Sequence, residues 1–226
     1  MSKLVLPRIN DKGQYTISYS QIKLWHDLKG FSTGLLGKFE YIRSYMMGET
    51  YPDVGWAQFG IEVEDYVCER KHADKFTEQE RAVMEKIVPL GNFQVPIDID
   101  FKDFRFIGYK DDANDDESIL RDYKTASVKS KEQYYGDGYK QLNLYALDTK
   151  KKSGKLPNEL QVTVIERLGN AFRGGRDVLS VGENVWEIQK EIDPVAIDSM
   201  EDLIVNTARE ISEYYAIYLE MNKLVG

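Results

Sequence analysis

Asp122 and Lys124 lie two residues apart in Arg121-Asp122-Tyr123-Lys124, at the end of the apolar run Ser118-Ile119-Leu120. On a strand alternate side chains share a face, so this carboxylate and ammonium emerge together. Such a pair is either a structural ion pair or a metal ligand beside the group that orients an attacking water. Three other places carry residues able to join it. Glu64 follows Gly60 by four positions next to Val63 and Val67, an apolar stripe where an unpartnered charge is costly. By itself it reads equally as an ion-paired or snorkelling glutamate. Asp111 follows Gly108 by three positions, with Asp112 directly after it, and either aspartate is a candidate ligand. Alternation with Ile107 and Tyr109 favours Asp111. Gln141 and Tyr145, four residues apart, share one face of a helix together with Gly138. Tyr145 is also a natural core aromatic, whereas a core has little use for the Gln141 amide. The single cysteine, Cys68, excludes an internal disulfide or a thiolate cluster, and only two histidines are present. Oxygen-ligated hard metals, or a histidine-poor site, are what remain.

The elements that must carry these residues are readable from periodicity. An irregular lead-in ends in a short β-prone piece, Gln14 to Ile17. Ser18 or Ser20 then caps a helix running to Gly30, and a second helical stretch spans Leu35 to Met47 between Gly34 and Gly48. Trp56, Phe59, Val63 and Val67 recur at helical spacing in a helix expected from Pro52 to about Lys71, with Glu62, Asp65 and Glu69 facing water. Thr77 with Glu80 forms a capping box for a helix to Ile87. After Gly91 the period becomes two. Strands are expected over Phe93 to Phe101, Phe104 to Tyr109 and Ile119 to Lys124, then a helix from Gln133 to about Asp148. Glu159 to Leu168, Asp177 to Val181 and Val185 to Ile192 read as further strands, with turns at Gly174-Gly175 and Gly182-Glu183-Asn184. Pro194 opens a final helix to about Leu224. The turn Arg173-Gly174-Gly175-Arg176 is either a phosphate contact or a plain hairpin loop.

With 226 residues, 42% hydrophobic and 30% charged, the chain suits one α/β domain, residues 1–226. Within it we place a helical cap or extension over 1–50, a core over 54–168, and extra strands with the long helix over 169–226. No apolar run is long enough to span a membrane and no secretory signal opens the chain, so a cytoplasmic protein is expected. A net charge of -8 argues against a general nucleic-acid coat. Acidic residues nevertheless crowd 98–117, and lysines follow from Lys124 to Lys155, a pattern that suits a metal-dependent enzyme acting on a polyanion as well as a solvated face. His26 and His72 read as surface or capping residues and Cys68 as a buried thiol. Tyr123, Tyr134, Tyr135 and Tyr139 cluster near the pair, for packing or for stacking on bases.

Taken in order, the four pieces are Gly60-x-x-x-Glu64 on a helix, Gly108-x-x-Asp111 at a strand end, Asp122-x-Lys124 on the next strand and Gln141-x-x-x-Tyr145 on the following helix. Residues 60–165 so arranged resemble the core of the PD-(D/E)XK nuclease superfamily, and the glycine and glutamine motifs resemble its RecB-type exonuclease branch. The resemblance implies a restriction-endonuclease-like α/β core, a mixed central sheet flanked by helices, with a helical N-terminal extension and a long C-terminal helix. It also implies a DNA exonuclease using Mg2+ or Mn2+ held by Glu64, Asp111, Asp122 and the Tyr123 carbonyl, a water or phosphoryl oxygens polarised by Lys124, and DNA positioned by Gln141 and Tyr145. The setting it implies is recombination, repair or phage DNA processing, with DNA as substrate. A recombination, single-strand-binding or helicase partner, or a homo-oligomer, is compatible with it. The chain departs from the pattern at Lys110, where proline or an apolar residue is usual. It lacks the four cysteines that hold an iron-sulfur cluster in some relatives, and it has no Gly-x-x-x-x-Gly-Lys-Ser/Thr phosphate loop for a helicase motor. Two other functions compete: a DNA-binding accessory protein acting through a partner, and a structure-selective endonuclease.

Overall fold

The computed structural model describes residues 4–30, 34–48, 55–136 and 139–225. Among these, strands β1 (Thr16–Ile17), β2 (Asn92–Asp100), β3 (Arg105–Ala113), β4 (Ile119–Ala126), β5 (Glu159–Leu168) and β6 (Ser180–Lys190) form one mixed sheet. Their order is β1-β3-β4-β5-β6, with β2 paired to β3 off that path. The helices are α1 (Tyr19–Gly30), α2 (Gly34–Tyr41), α3 (Trp56–Glu69), α4 (Glu78–Met84), α5 (Gln141–Ser153) and α6 (Pro194–Val225). This is the mixed α/β architecture expected, with a long C-terminal helix. Among the described residues no helix is long and apolar enough to cross a membrane.

The chain packs as two compact units built from interleaved stretches: Met1–Pro52, Pro96–Gly108 and Asp198–Gly226 in one, Asp53–Val95 and Tyr109–Ile197 in the other. In the first unit the Ser18 N–H donates to Gln21 Oε1 at 2.7 Å while its carbonyl accepts from Ile22, which starts α1 where the serines predict. Trp25 of α1 is fully buried and meets Tyr41 and Tyr214 edge-on, with the Lys38 ammonium 3.6 Å above its ring. His26 is bound to Thr207 at 2.8 Å, a polar bridge inside this unit.

In the second unit α3 lays Phe59, Val63, Tyr66 and Val67 against Tyr123 of β4, Ile165 of β5 and Met84 of α4. The predicted start of this helix near Pro52 lies outside the described residues. Thr77 caps α4 in a complete capping box with Glu80. Strands β4 and β5 run parallel from Ile119↔Glu159 to Ala126↔Glu166, and β6 is antiparallel to β5.

Three local expectations fail for tertiary reasons. The helix predicted from Gln133 is a 3-10 turn over Ser130–Tyr134, and α5 starts only at Gln141. Lys190 takes the carbonyls of Tyr134, Tyr135 and Gly136 at 3.2, 3.0 and 2.8 Å, the acceptors a continuing helix would need. Gly138 lies outside the described residues. The turn predicted at Gly182-Glu183-Asn184 is a bulge within strand: β6 continues through it, with its register against β5 shifted between Val181 and Val185. The Glu166 carboxylate accepts from the Asn184 backbone and side chain and lies where a side chain at 182 would begin, 2.4 Å from that position, so only glycine leaves it room. Finally, Glu62 does not face water. It is 5% exposed and pairs with Arg176, whose guanidinium also covers Phe59. The Arg173–Arg176 turn, two short 3-10 segments, therefore spends Arg176 on the interior rather than on a phosphate.

Candidate active site

The β3–β4 ladder pairs Asp112 with Arg121 and Ala113 with Leu120. Beyond that point the Tyr123 N–H donates to the side chain of Asp111, at 2.9 Å from Oδ2. Asp111 is thereby held beside Asp122, which is fully buried on β4. Directly adjacent carboxylates repel, so the pair needs donors. From α5, Tyr145 Oη lies 2.8 Å from Asp111 Oδ1 and 3.0 Å from Asp122 Oδ1. Gln141, one turn earlier, donates its amide to Tyr145 Oη at 2.8 Å, and the Tyr139 hydroxyl donates to Asp122 Oδ2. The two readings of Tyr145 are both met: its ring is core and its hydroxyl serves the carboxylates.

Lys124 Nζ sits 2.7 Å from Asp122 Oδ2, 2.9 Å from the Tyr123 carbonyl and 3.6 Å from Asp111 Oδ2. Glu64, half-buried on α3, accepts from the Gln94 amide and borders an open cleft of about 560 Å³ that Ile61 and Phe93 also line. Burial, reinforced by the charge of Asp111, pushes the Glu64 carboxyl up to about 8. Burial likewise raises Asp122 to about 7, with Lys124 opposing and Asp111 adding to the rise. Burial alone would lower the pKa of Lys124, but Asp122 and Asp111 outweigh it and hold the ammonium above its ordinary value. Three carboxylates thus share one cation.

The oxygens of Glu64, Asp111, Asp122 and the Tyr123 carbonyl are of the donor type that hard cations take. Among the described residues no group of three acidic, histidine or cysteine side chains is placed to hold a metal ion. The Lys124 ammonium is what meets Asp122 and the Tyr123 carbonyl.

Asp112, the alternative to Asp111, points to the other face of the strand. Its Oδ2 accepts from Leu90 N at 2.8 Å and from the Tyr123 hydroxyl at 2.7 Å, with Arg121 4.0 Å away. Lys110 is fully buried, its ammonium paired with Glu117 and Asp148 and bonded to Thr149. Cys68 is half-buried, and burial pushes its thiol pKa up.

Tyr139, expected near the pair for packing or for stacking on bases, instead donates its hydroxyl to Asp122. Gln94 escapes sequence reasoning, since period-two alternation turns it away from the helix. In the fold its backbone takes a left-handed φ of 52° within β2, an uncommon conformation for glutamine, and its amide reaches Glu64.

No family model and no curated protein matches the sequence. Among solved structures the chain aligns with a crystal structure of an Eubacterium rectale protein provisionally named an exonuclease, at 11% identity and a TM-score of 0.49, covering 94% of this chain and 87% of that one. At that distance the likeness carries nothing about chemistry, which rests on the side chains described above.

Proposed function

We propose that this chain is a divalent-metal-dependent deoxyribonuclease of the RecB-like PD-(D/E)XK type, acting as an exonuclease on DNA in recombination, repair or phage DNA processing. The observation that carries this reading is the convergence of Asp111, Asp122, Lys124 and Tyr145, from three separate elements, through direct hydrogen bonds and ion pairs. Glu64 joins them from a fourth element through its charge. One ammonium here faces several carboxylates, and burial with like charge raises the pKa of two of them, a pattern concentrated at functional sites.

Glu64, Asp111, Asp122 and the Tyr123 carbonyl would hold Mg2+ or Mn2+. When bound, such a metal supplies a nucleophilic water at neutral pH and neutralises charge on the phosphate and leaving oxygen. The chain's own residues do the rest. Lys124, kept protonated by its acidic neighbours, places a fixed positive charge where a phosphoryl oxygen develops negative charge. Tyr145, aligned by Gln141, keeps Asp111 and Asp122 at a set separation, and Tyr139 fixes the second oxygen of Asp122. Gln94 holds one Glu64 oxygen and so orients the other.

One observation favours the second reading, a DNA-binding accessory protein: Lys124 engages both Asp122 oxygens, as a purely structural pair would. Digestion of end-labelled DNA with Mg2+ or Mn2+ separates the two. The nuclease reading expects turnover in the wild type and a loss of roughly a thousandfold or more in Asp122→Ala and Lys124→Ala, the scale on which preorganised electrostatic groups act. Undiminished cleavage by either variant removes these residues from the site, and binding without turnover under every metal supports the accessory protein.

A further inference from the structure

Arg167, near the end of β5, has no role in the constellation above. It is half-buried, its Nε has no hydrogen-bond partner, and its one recorded hydrogen bond is a long 3.5 Å contact from Nη1 to the Thr125 carbonyl. Among the described residues no carboxylate answers its charge, and burial lowers its pKa. A desolvated guanidinium without an anion is costly, and with its Nε buried it is the outer Nη end of this half-buried group that can donate to a phosphate oxygen.

What surrounds it has the same preference. The guanidinium lies 4.0 Å over the ring of Trp56, the first residue of α3. Trp56 is half-buried and meets the ring of Phe172 edge-on at 6.0 Å, while Phe172 is 77% exposed, a large aromatic left in water beside a cation. Trp56, Gly60 and Glu64 recur every four residues and so lie on one stripe of α3. That stripe runs about 12 Å from Arg167 toward the acidic cluster, at the usual rise per residue. Its midpoint is bare, because a side-chain carbon added at Gly60 would meet only Thr125 Oγ1, at 4.0 Å. The Arg167 Nη1 contact to the carbonyl of Thr125, the residue after Lys124 on β4, places the guanidinium next along the strand from the Asp122–Lys124 pair.

We propose that Arg167, Trp56 and Phe172 form a second DNA subsite that holds one unstacked nucleotide of the strand being cut, its phosphate on Arg167 and its base on Phe172. The inference rests on the nuclease reading above, since the stripe leads from this subsite to Glu64. A base within a duplex has both faces covered, so the subsite selects single strands or frayed ends. Stacking on an aromatic ring is indifferent to base identity, so the selection is for strandedness rather than sequence.

The test uses the full chain and a short fluorescein-labelled oligothymidylate, followed by anisotropy in EDTA so that nothing is cut, over a range of salt. Arg167→Gln is expected to weaken binding about tenfold and to reduce the slope of log affinity against log salt by about 0.7, one single-strand phosphate contact. Arg167→Lys should keep the slope. Phe172→Ala, at an exposed position that leaves the fold intact by circular dichroism, is expected to weaken binding about tenfold with the slope unchanged. Wild-type affinity and slope in both Arg167→Gln and Phe172→Ala, in a protein that still cuts DNA with Mn2+, overturn the subsite and leave the nuclease reading standing. A wild type that neither binds the oligonucleotide nor cuts DNA overturns the nuclease reading itself. Displacement of the oligonucleotide by polyglutamate as readily as by unlabelled DNA would assign the patch to an acidic protein and also overturn the proposal.

Discussion

Glu64 bears a charge that the folded protein resists. Burial and Asp111 push its pKa from 4.5 up to about 8, so across that interval the folded chain holds a proton that the unfolded chain has released. Where the native state binds more protons, stability falls as pH rises. The contribution of Glu64 is therefore most favourable near and below pH 4.5 and is lost progressively up to about pH 8. Glu64→Gln removes the dependence. It is expected to raise stability near pH 8 by on the order of 1 kcal/mol, the worth of about one pKa unit, and to leave stability near pH 5 almost unchanged. Urea unfolding of metal-free protein at the two pH values measures this, and a variant less stable than wild type near pH 8 would contradict it. At this scale the sequence exposes the Asp122–Lys124 pair, because strand alternation forces the two side chains together. It conceals Gln94, which reaches Glu64 only through a left-handed backbone that no periodicity announces.

Elements behave as their local sequence demands unless a distant side chain intervenes. The Thr77–Glu80 box starts α4 because both bonds close within one turn. The start of α5 is shifted by Lys190 and the continuity of β6 is set by Glu166, partners far away in sequence. Glycines divide in the same way. A methyl at Gly108 would meet nothing within 4 Å, and one at Gly60 only Thr125 Oγ1, so neither motif glycine is required by the fold. Gly60→Ala is expected to stabilise the protein by roughly 0.5–1 kcal/mol through α3. Gly169 differs: its φ is 88° and an added carbon would lie 2.0 Å from the Val178 carbonyl oxygen. Gly169→Ala is expected to cost more than about 2 kcal/mol, the range of strain at a special backbone conformation. Thermal melting of the two variants checks both signs, and destabilisation by Gly60→Ala would mean that the motif glycine carries a packing role absent from the fold.

For the whole molecule, a net charge of -8 means that DNA is not drawn in by the overall field. On the proposed function, binding would come from local cations such as Arg167 and from metal at the acidic cluster, and affinity is expected to fall with salt. An enzyme that works from ends should degrade linear duplex or single strands with Mn2+ and leave covalently closed circles intact. Gel analysis of both forms in one tube checks this, and loss of the closed circle at a rate comparable to the linear form would move the chain to the endonuclease class. The two compact units are interleaved in sequence, β2, β3 and α6 each passing from one to the other, so neither unit corresponds to a single stretch of chain.

The sequence by itself determined most element types and their order, because alternation, helical period and capping act over a few neighbouring residues. It also placed Glu64, Asp111, Asp122, Lys124, Gln141 and Tyr145 as candidates, Asp122 with Lys124 by strand alternation and the rest of the set through the order of the motifs. Only the tertiary structure decided which aspartate faces Asp122, since Asp111 and Asp112 are adjacent and the choice depends on which face of β3 meets Tyr145 rather than Leu90. It also decided that Glu62 turns inward to Arg176, that Tyr139 and Gln94 complete the site, and that Arg167 is left over Trp56 with its Nε unpartnered. Each of these is a contact between residues far apart in the chain, and such contacts are fixed by packing rather than by local pattern.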